Sequence, residues 1–345
     1  MPSLRLAKTG MFVFSLLLCL LAALAITMGF MHIPFSEVGS VLLAKLTMQP
    51  VSHDIDATVV SIIINVRLPR VLAAILVGGI LAICGAVFQA VLLNPLADSY
   101  TLGISTGAAF GASLVLVLQL FGLIMPAQLS VPFFAFLGGI ATLFFVLYLA
   151  ASDRNLSSTS LILAGVIVSA ILSAAIGFFK FLADEQVGMI IFWLMGSLAG
   201  VNWQQIIVLL PITFIGVIVL CLFGRDLNIM ASGDRAAASL GVHTVRLRIF
   251  LLTVCSLMTS LAVSVSGIIG FIGLIVPHLL RHLIGPDNRL LLPYSFLSGS
   301  LLLLIADTLT RAVLPTEVPI GVLTALLGGP FFCFLFKKRQ ASGGF

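Results

Sequence analysis

The chain has 345 residues, of which 61% are hydrophobic and only 8% are charged. Soluble domains contain about 25% charged residues, so this composition excludes a soluble globular protein and indicates an integral membrane protein. The formal net charge of +5 reflects membrane topology and contact with anionic lipid head groups, and it does not indicate nucleic-acid binding.

Ten apolar runs are candidates for bilayer-spanning helices, each of which needs about 20 predominantly apolar residues. The runs lie near residues 11–31, 70–93, 101–124, 131–151, 159–182, 204–223, 246–265, 268–284, 290–310 and 318–336. The alternating pattern of a membrane β-barrel is absent from them. The sequence therefore predicts an all-α membrane protein with one transmembrane domain covering residues 1–345.

The first run follows Arg5 and Lys8 and contains Ala23-Leu24-Ala25, a pattern that a secretory signal peptide can also show. We prefer an uncleaved first helix, because the run is long enough to span and nine more follow it. With both termini in the cytoplasm, most of the 17 Lys and Arg residues fall inside, as the positive-inside rule requires. This predicts a multi-pass protein of the cell inner membrane.

Residues 32–66 form a more polar stretch, which we expect to be an outer segment, part loop and part interfacial helix. It ends at Arg67-Leu68-Pro69-Arg70, where Pro69 suits the first turn of the second helix. Arginine on the outer side runs against the positive-inside bias. These two arginines are therefore either interfacial anchors for lipid head groups or contacts for a protein partner.

Four shorter patterns lie farther along the chain. Asn94-Pro95 is typical of a turn, and the small residues of 102–111 permit close helix contact. The hydroxyl cluster at 157–160 is able to cap the fifth span. Residues 192–200 are too few to cross a bilayer and predict a half-helix at the outer side.

The polar stretch 224–248 interrupts an otherwise apolar sequence. It predicts a short helix with Ser232 as N-cap, Asp234 in the first turn and Gly241 closing it in a left-handed conformation. Such a short helix is not stable alone. The stretch is either a solvated linker between spans or a segment that docks into a partner.

Four stretches together resemble the FecCD family of ABC importer permeases, which includes permeases for cobalamin, ferric siderophores and haem. They are residues 67–105, 192–200, 270–293 and 306–332. The resemblance covers roughly residues 60–338. It implies a type II ABC importer permease fold with about ten helices. It also implies a homodimer, or a pair with a close paralogue, with the transport path on the two-fold axis.

The resemblance also implies a role for particular residues. Those expected to couple the chain to a cytoplasmic ATPase are Gly233, Asp234, Ala237, Leu240 and Gly241. Those expected to dock an external substrate-binding protein are Arg67, Arg70 and Arg311. The two inner gates of the path are expected at Asn94 with Leu96 and at Ser158 with Thr159. The shape of the second gate stays open, because some relatives have other small polar residues there.

The chain itself is not expected to be an enzyme. A phosphate-binding loop needs a lysine directly after a glycine, and none of the five lysines follows one. ATP hydrolysis must therefore reside in a separate subunit. His278 and His282 are four residues apart, as metal ligands on a helix can be, but no third ligand is near in sequence. We expect neither a bound metal nor a cofactor.

The predicted function is import of a metal chelate, with a ferric siderophore as the first choice and haem or cobalamin next. The alternative is an ion-coupled secondary transporter or channel, which usually places an ionisable group in mid-membrane. Asp307 is the clear candidate for such a group, and Arg311 four residues later is placed to pair with it. Dependence on ATP and on a separate ATPase subunit would discriminate the two functions.

Overall fold

The computed structural model describes residues 4–29, 31–51, 55–122, 127–153, 155–312 and 317–341. Within these ranges the regular structure is entirely helical. The α-helices are α1 Leu4–Thr27, α2 Phe35–Leu46, α3 Ala57–Ser61, α4 Leu68–Val91, α5 Ile104–Leu120, α6 Ala127–Ala150, α7 Ser158–Ala183, α8 Val187–Leu194, α9 Trp203–Leu222, α10 Gly224–Met230, α11 Asp234–Ser239, α12 Thr244–Ser266, α13 Ile272–Ile284, α14 Asn288–Ala312 and α15 Ile320–Ala341. A π-helical turn, Ile62–Arg67, joins α3 to α4.

Every predicted span contains a helix. In the described ranges seven helical stretches are long and apolar enough to cross a membrane, and three shorter apolar helices accompany them, Ile104–Leu120, Ile272–Ile284 and Ile320–Phe331. α13 is shorter than predicted because Gly267 and Phe271 both adopt positive φ values, 66° and 68°. These conformations keep the residues before Ile272 out of the helix. The predicted all-α membrane fold is confirmed.

Helix α4 is the centre of the bundle. In its apolar window 83% of the residues are buried, against 17% for α1 at the edge. It packs on α14, α12, α13 and α9. Pro69 lies in its first turn, as predicted, where a missing N–H costs no intrahelical hydrogen bond.

Small residues bring the helix backbones together. A side-chain carbon added to Gly78 of α4 would collide with the carbonyl oxygen of Gly299 in α14. A carbon added to Gly107 of α5 would likewise meet Gly138 and Thr142 of α6. The predicted close contact of the 102–111 stretch is therefore present, and it follows the small-residue packing of membrane helices.

The predicted outer segment is part helix and part loop. Helix α2 buries Val38 and Val41 and exposes both polar and apolar side chains, Ser40, Leu43, Lys45 and Leu46. The half-helix predicted at 192–200 was misplaced, because α8 ends at Leu194. Gly196 takes a φ of 72°, which stops the helix.

Candidate functional site

Hydrogen bonds between distant segments define two ends of the bundle. At the first, called the Arg70 end, Trp203 Nε1 donates to Ile64 O at 2.9 Å and Arg70 contacts Glu317. At the second, called the Arg248 end, α10 and α11 meet the loops before α7 and α14. The predicted docking arginines lie at the Arg70 end, and the predicted coupling residues lie at the Arg248 end.

The predicted short helix in 224–248 is a pair of helices, α10 and α11. Its N-cap is Gly233 and not Ser232, which is exposed and makes no side-chain cap. The reason is the backbone: Gly233 has φ 94° and ψ 155°, a region that only glycine occupies readily. Gly241, with φ 86°, closes the other end as predicted.

The predicted coupling residues divide into buried and exposed positions. Ala237 is fully buried, so it lies on the inward-facing side of α11 and is not part of an outward face. Leu240 is 67% exposed, and Ala238 and Ser239 beside it are exposed too. An apolar side chain surrounded by small ones at a helix end is a protrusion suited to a cleft in another protein.

Helix α10 is attached to the loop before α14. Asn228 Nδ2 donates to Asp287 Oδ1 at 2.7 Å, and Asn228 Oδ1 accepts from the Asn288 amide N–H at 2.8 Å. The Arg289 guanidinium holds the pKa of Asp287 low, at about 2. The helix pair is thus fixed to the bundle and is not a loose linker.

Helix α11 is attached through Arg248 of α12, a residue that sequence reasoning assigned no role. Its buried guanidinium donates from Nη2 to Asp234 Oδ1 at 2.8 Å and from Nη1 to the carbonyl oxygens of Asn155 and Leu156, both at 2.9 Å. The available sequence signal was an arginine at the start of an apolar helix. Its partners lie too far along the chain for spacing to identify them.

The predicted gate residues lie in two turns of the chain. Asn94 Oδ1 accepts from the Leu96 amide N–H at 2.9 Å, which confirms the predicted turn after α4 and leaves the Leu96 side chain half exposed. Ser158 and Thr159 begin α7, and Thr159 is exposed. Ser157 caps this helix by accepting from the Ser160 amide N–H, as the hydroxyl cluster predicted.

Hydrogen bonds to Asp153 tie the loop before α7 to the start of that helix. Asp153 Oδ2 accepts from the Ser157 amide N–H at 3.0 Å and from Ser160 Oγ at 2.9 Å. These bonds, with the Ser157 hydroxyl side chain first, lower the pKa of Asp153 below its ordinary value. The carboxylate is therefore ionised at neutral pH and keeps the loop closed on the start of the helix.

At the Arg70 end, two of the three predicted docking arginines hold the end of α1. Arg67 Nη1 donates to the carbonyl oxygens of Ile26 and Thr27, at 2.7 and 2.9 Å. Arg311 donates to the carbonyl oxygens of Ala25 and Met28. Cations at a helix C-terminus satisfy its unpaired carbonyls and favour its dipole, so these two arginines have a structural function.

Arg70 lies between two carboxylates. Its Nε donates to both oxygens of the fully buried Asp307, at 2.9 and 3.2 Å. Its Nη1 donates to Glu317, whose side chain is 54% exposed, at 3.2 and 3.3 Å. The predicted Asp307–Arg311 ion pair is also present, at 3.3 Å. Glu317 was not identified from the sequence.

Arg70, Asp307 and Glu317 line a cavity of about 210 Å³ at this end. Phe192, Ser197 and Pro319 form other parts of its wall. The cavity is large enough for one or two side chains of another protein. Of the three arginines, Arg70 is the one with an exposed ion-pair partner, Glu317, in the cavity wall.

The two histidines of α13 lie side by side, with ring centroids 4.9 Å apart. Among the described residues no group of three or more His, Cys, Asp or Glu side chains is arranged to hold a metal ion. Within the described ranges, the histidine pair therefore has no third side chain with which to hold a metal ion.

The structure is a many-helix membrane bundle with a short helix pair fixed at one end. The profile of the FecCD transport family matches residues 16–338, and the chain belongs to that family.

Relatives with known names include several permeases. The chain is 40% identical to an uncharacterized ABC transporter permease protein, YvrB, of Bacillus subtilis, over 93% of this chain and 91% of the relative. It is 38% identical to the cobalamin import system permease BtuC of Halobacterium salinarum, over 84% and 77%. It is 41% identical to the hemin transport system permease HmuU of Yersinia pestis, over 81% and 85%.

Solved structures agree with this assignment. One described as an inward-facing conformation of an ABC transporter, provisionally of the metal-chelate type, matches with a TM-score of 0.82 and 31% identity over 96% of this chain and 99% of that chain. PsaBC from Streptococcus pneumoniae, at a TM-score of 0.54 and 18% identity over 78% and 90%, shares the fold. The chain is a permease of an ABC importer for metal chelates, and ATP hydrolysis lies in a separate subunit.

Proposed function

We propose that this permease imports a ferric siderophore delivered by an external binding protein, with haem and cobalamin as the next choices. The named relatives carry haem, cobalamin and Fe(3+)-citrate, and one carries molybdate. This spread of cargo in one fold supports selection by the binding protein rather than by the bundle. The permease works as a pair with a second copy or a close paralogue.

The observation that carries the proposal is the geometry of α10 and α11. Both helices are anchored to the bundle, by Asn228 and by Asp234, while Leu240 projects from them. An anchored protrusion can transmit force from a partner, whereas a solvated linker cannot. We assign Leu240 and its small neighbours to the cleft of a cytoplasmic ATPase.

This assignment is tested with Leu240→Glu in the complex with its ATPase subunit. A charge placed in an apolar contact should weaken subunit binding by about tenfold or more, as for a central interface residue. Binding is measured by co-purification and by titration of the ATPase subunit. Ser232→Glu is the matched control, because Ser232 is exposed in the same segment but lies at the opposite end of α11 from Leu240. Equal binding by both variants and the wild type would refute the assignment.

The binding protein is assigned to the Arg70 end, with Arg70 as its principal contact. An acidic side chain of the partner would enter the cavity beside Arg70 and replace Glu317. A carboxylate suits this site because a guanidinium holds it with parallel hydrogen bonds. Arg67 and Arg311 support the site by keeping the end of α1 beside it.

The two turns at the Arg248 end are assigned to the inner gates of the path. Leu96 and Thr159 both present exposed side chains there, and in a pair of permeases such side chains would meet near the two-fold axis. The competing function, ion-coupled transport, is disfavoured by Asp307. Its carboxylate is paired with Arg70 and Arg311, so binding a coupling ion would require breaking these pairs.

A further inference from the structure

One buried side chain connects two segments at the Arg248 end that are far apart in sequence. Arg248 is 1% exposed and is among the largest fully buried side chains of the protein. It holds Asp234 in the first turn of α11 and the carbonyls of Asn155 and Leu156 in the loop before α7. We propose that Arg248 is a positioning residue that makes α11 and the start of α7 move together.

The hydrogen-bond geometry supports a rigid connection. The guanidinium is planar, so its two Nη atoms fix the directions of both segments at once. Its Nε is buried and has no hydrogen-bond partner within the described residues. The cation therefore depends on the three acceptors. Moving α11 away alone would leave a buried charge with an unfilled donor, which is strongly unfavourable.

The connection continues into α7. Leu156 is followed by Ser157, the cap of that helix, and Asp153 holds both Ser157 and Ser160. Leu156 itself has a φ of 46°, a conformation that a leucine keeps only when its surroundings impose it. Displacing the carbonyls at 155–156 must therefore displace the first turn of α7, where Ser158 and Thr159 lie.

The other end of the connection is short as well. Asp234 begins α11, and Leu240 follows directly after its last residue. A force applied at Leu240 reaches Asp234 through one short helix. This inference rests on the proposed function, because it takes Leu240 as the contact with the ATPase.

The test compares Arg248→Met with Arg246→Met in complexes containing the ATPase subunit in lipid nanodiscs. Arg246 lies on the same helix and is exposed, with no ion pair among the described residues, so the matched variant removes the same charge without cutting the connection. Hydrogen–deuterium exchange is followed in peptides covering residues 151–160 and 232–242, with and without Mg-ATP and orthovanadate.

In the wild type and in Arg246→Met, nucleotide should change exchange in both peptides. In Arg248→Met the change at 232–242 should persist, while the change at 151–160 should shrink about fivefold or more, the lower range of coupling between sites. Arg248→Lys should restore part of it, since an ammonium reaches fewer acceptors. A merely structural role would alter both peptides equally and without nucleotide.

An undiminished response at 151–160 in Arg248→Met would overturn the inference. If that variant does not assemble, Asp234→Ala replaces it, because it removes the α11 contact and leaves the carbonyl contacts in place. The same loss at 151–160 is expected, and an unchanged response would again overturn the inference. Absence of a nucleotide response at 232–242 in the wild type would instead refute the proposed coupling function.

Discussion

Three arginines form a cluster with Asp307 and Glu317 at the Arg70 end, and their hydrogen-bond partners separate their functions. Arg67 and Arg311 donate mainly to backbone carbonyls of α1. Among the described residues, Arg70 donates to two carboxylates, one fully buried and one half exposed. At the level of residues, Glu317 is therefore the group that a docking partner can replace at low cost.

Replacing Glu317 with Gln should strengthen docking of the binding protein. Glu317 is half exposed, and such ion pairs contribute up to about 1 kcal/mol, so affinity should rise by about two- to fivefold at low salt. Surface plasmon resonance over a salt series measures this. Glu185→Gln is the control, because Glu185 is exposed at the same end and removes the same charge. A Glu317→Gln affinity no higher than that of the control would contradict the proposed competition.

Sequence spacing identified some of these contacts and could not identify others. Asp307 and Arg311 are four apart on one helix, so their ion pair was predictable and is present. Arg70 and Asp307 are 237 positions apart, and Arg248 bonds to backbone carbonyls that have no side-chain signature. Such pairs follow from tertiary packing, which a single sequence does not show.

At the level of elements, Asp287 connects the N-terminus of α14 to helix α10. Its carboxylate accepts from Asn228 of α10, from the Arg289 amide N–H and from the Arg289 side chain. The Arg289 hydrogen bond, assisted by Asn228, lowers its pKa from 3.8 to about 2. A group with a lowered folded-state pKa stabilises the protein above its unfolded pKa. That stabilisation is lost as the pH falls from about 4 towards 2.

Asp287→Asn should therefore lower the melting temperature at pH 7 by about 2–4 °C. The difference from the wild type should shrink as the pH is lowered through 4 and disappear near 2. Differential scanning fluorimetry in detergent measures both proteins across this range. Asp226→Asn, on α10 but without an ion pair among the described residues, is the control. A difference that stays constant with pH would show that the carboxylate charge of Asp287 is not responsible.

The sequence predicted helices well where apolar runs were long, and less well where a glycine begins or ends a helix. All ten spans were found because length and hydrophobicity decide them. The N-cap of α11 and the position of α8 were wrong, because Gly233 and Gly196 take positive φ values. Glycine permits such conformations at many sites, and only the folded chain shows which glycines use them.

At the level of the whole molecule, the two ends of the bundle differ in structure. The Arg70 end has a charged cavity, and the Arg248 end has an anchored helix pair. A central helix, α4, packs on four others and makes close glycine contacts with two of them, α13 and α14. This arrangement suits a subunit that receives cargo at one end and is driven by a partner at the other.

Uptake in reconstituted vesicles tests this account most directly. The permease, its ATPase subunit and its binding protein are combined in proteoliposomes, and a radiolabelled ferric siderophore, haem and cobalamin are offered in turn. The account predicts uptake of one chelate that requires ATP on the ATPase side and stops when either partner is omitted. Uptake driven by a proton or sodium gradient alone, without ATP or the ATPase subunit, would contradict it.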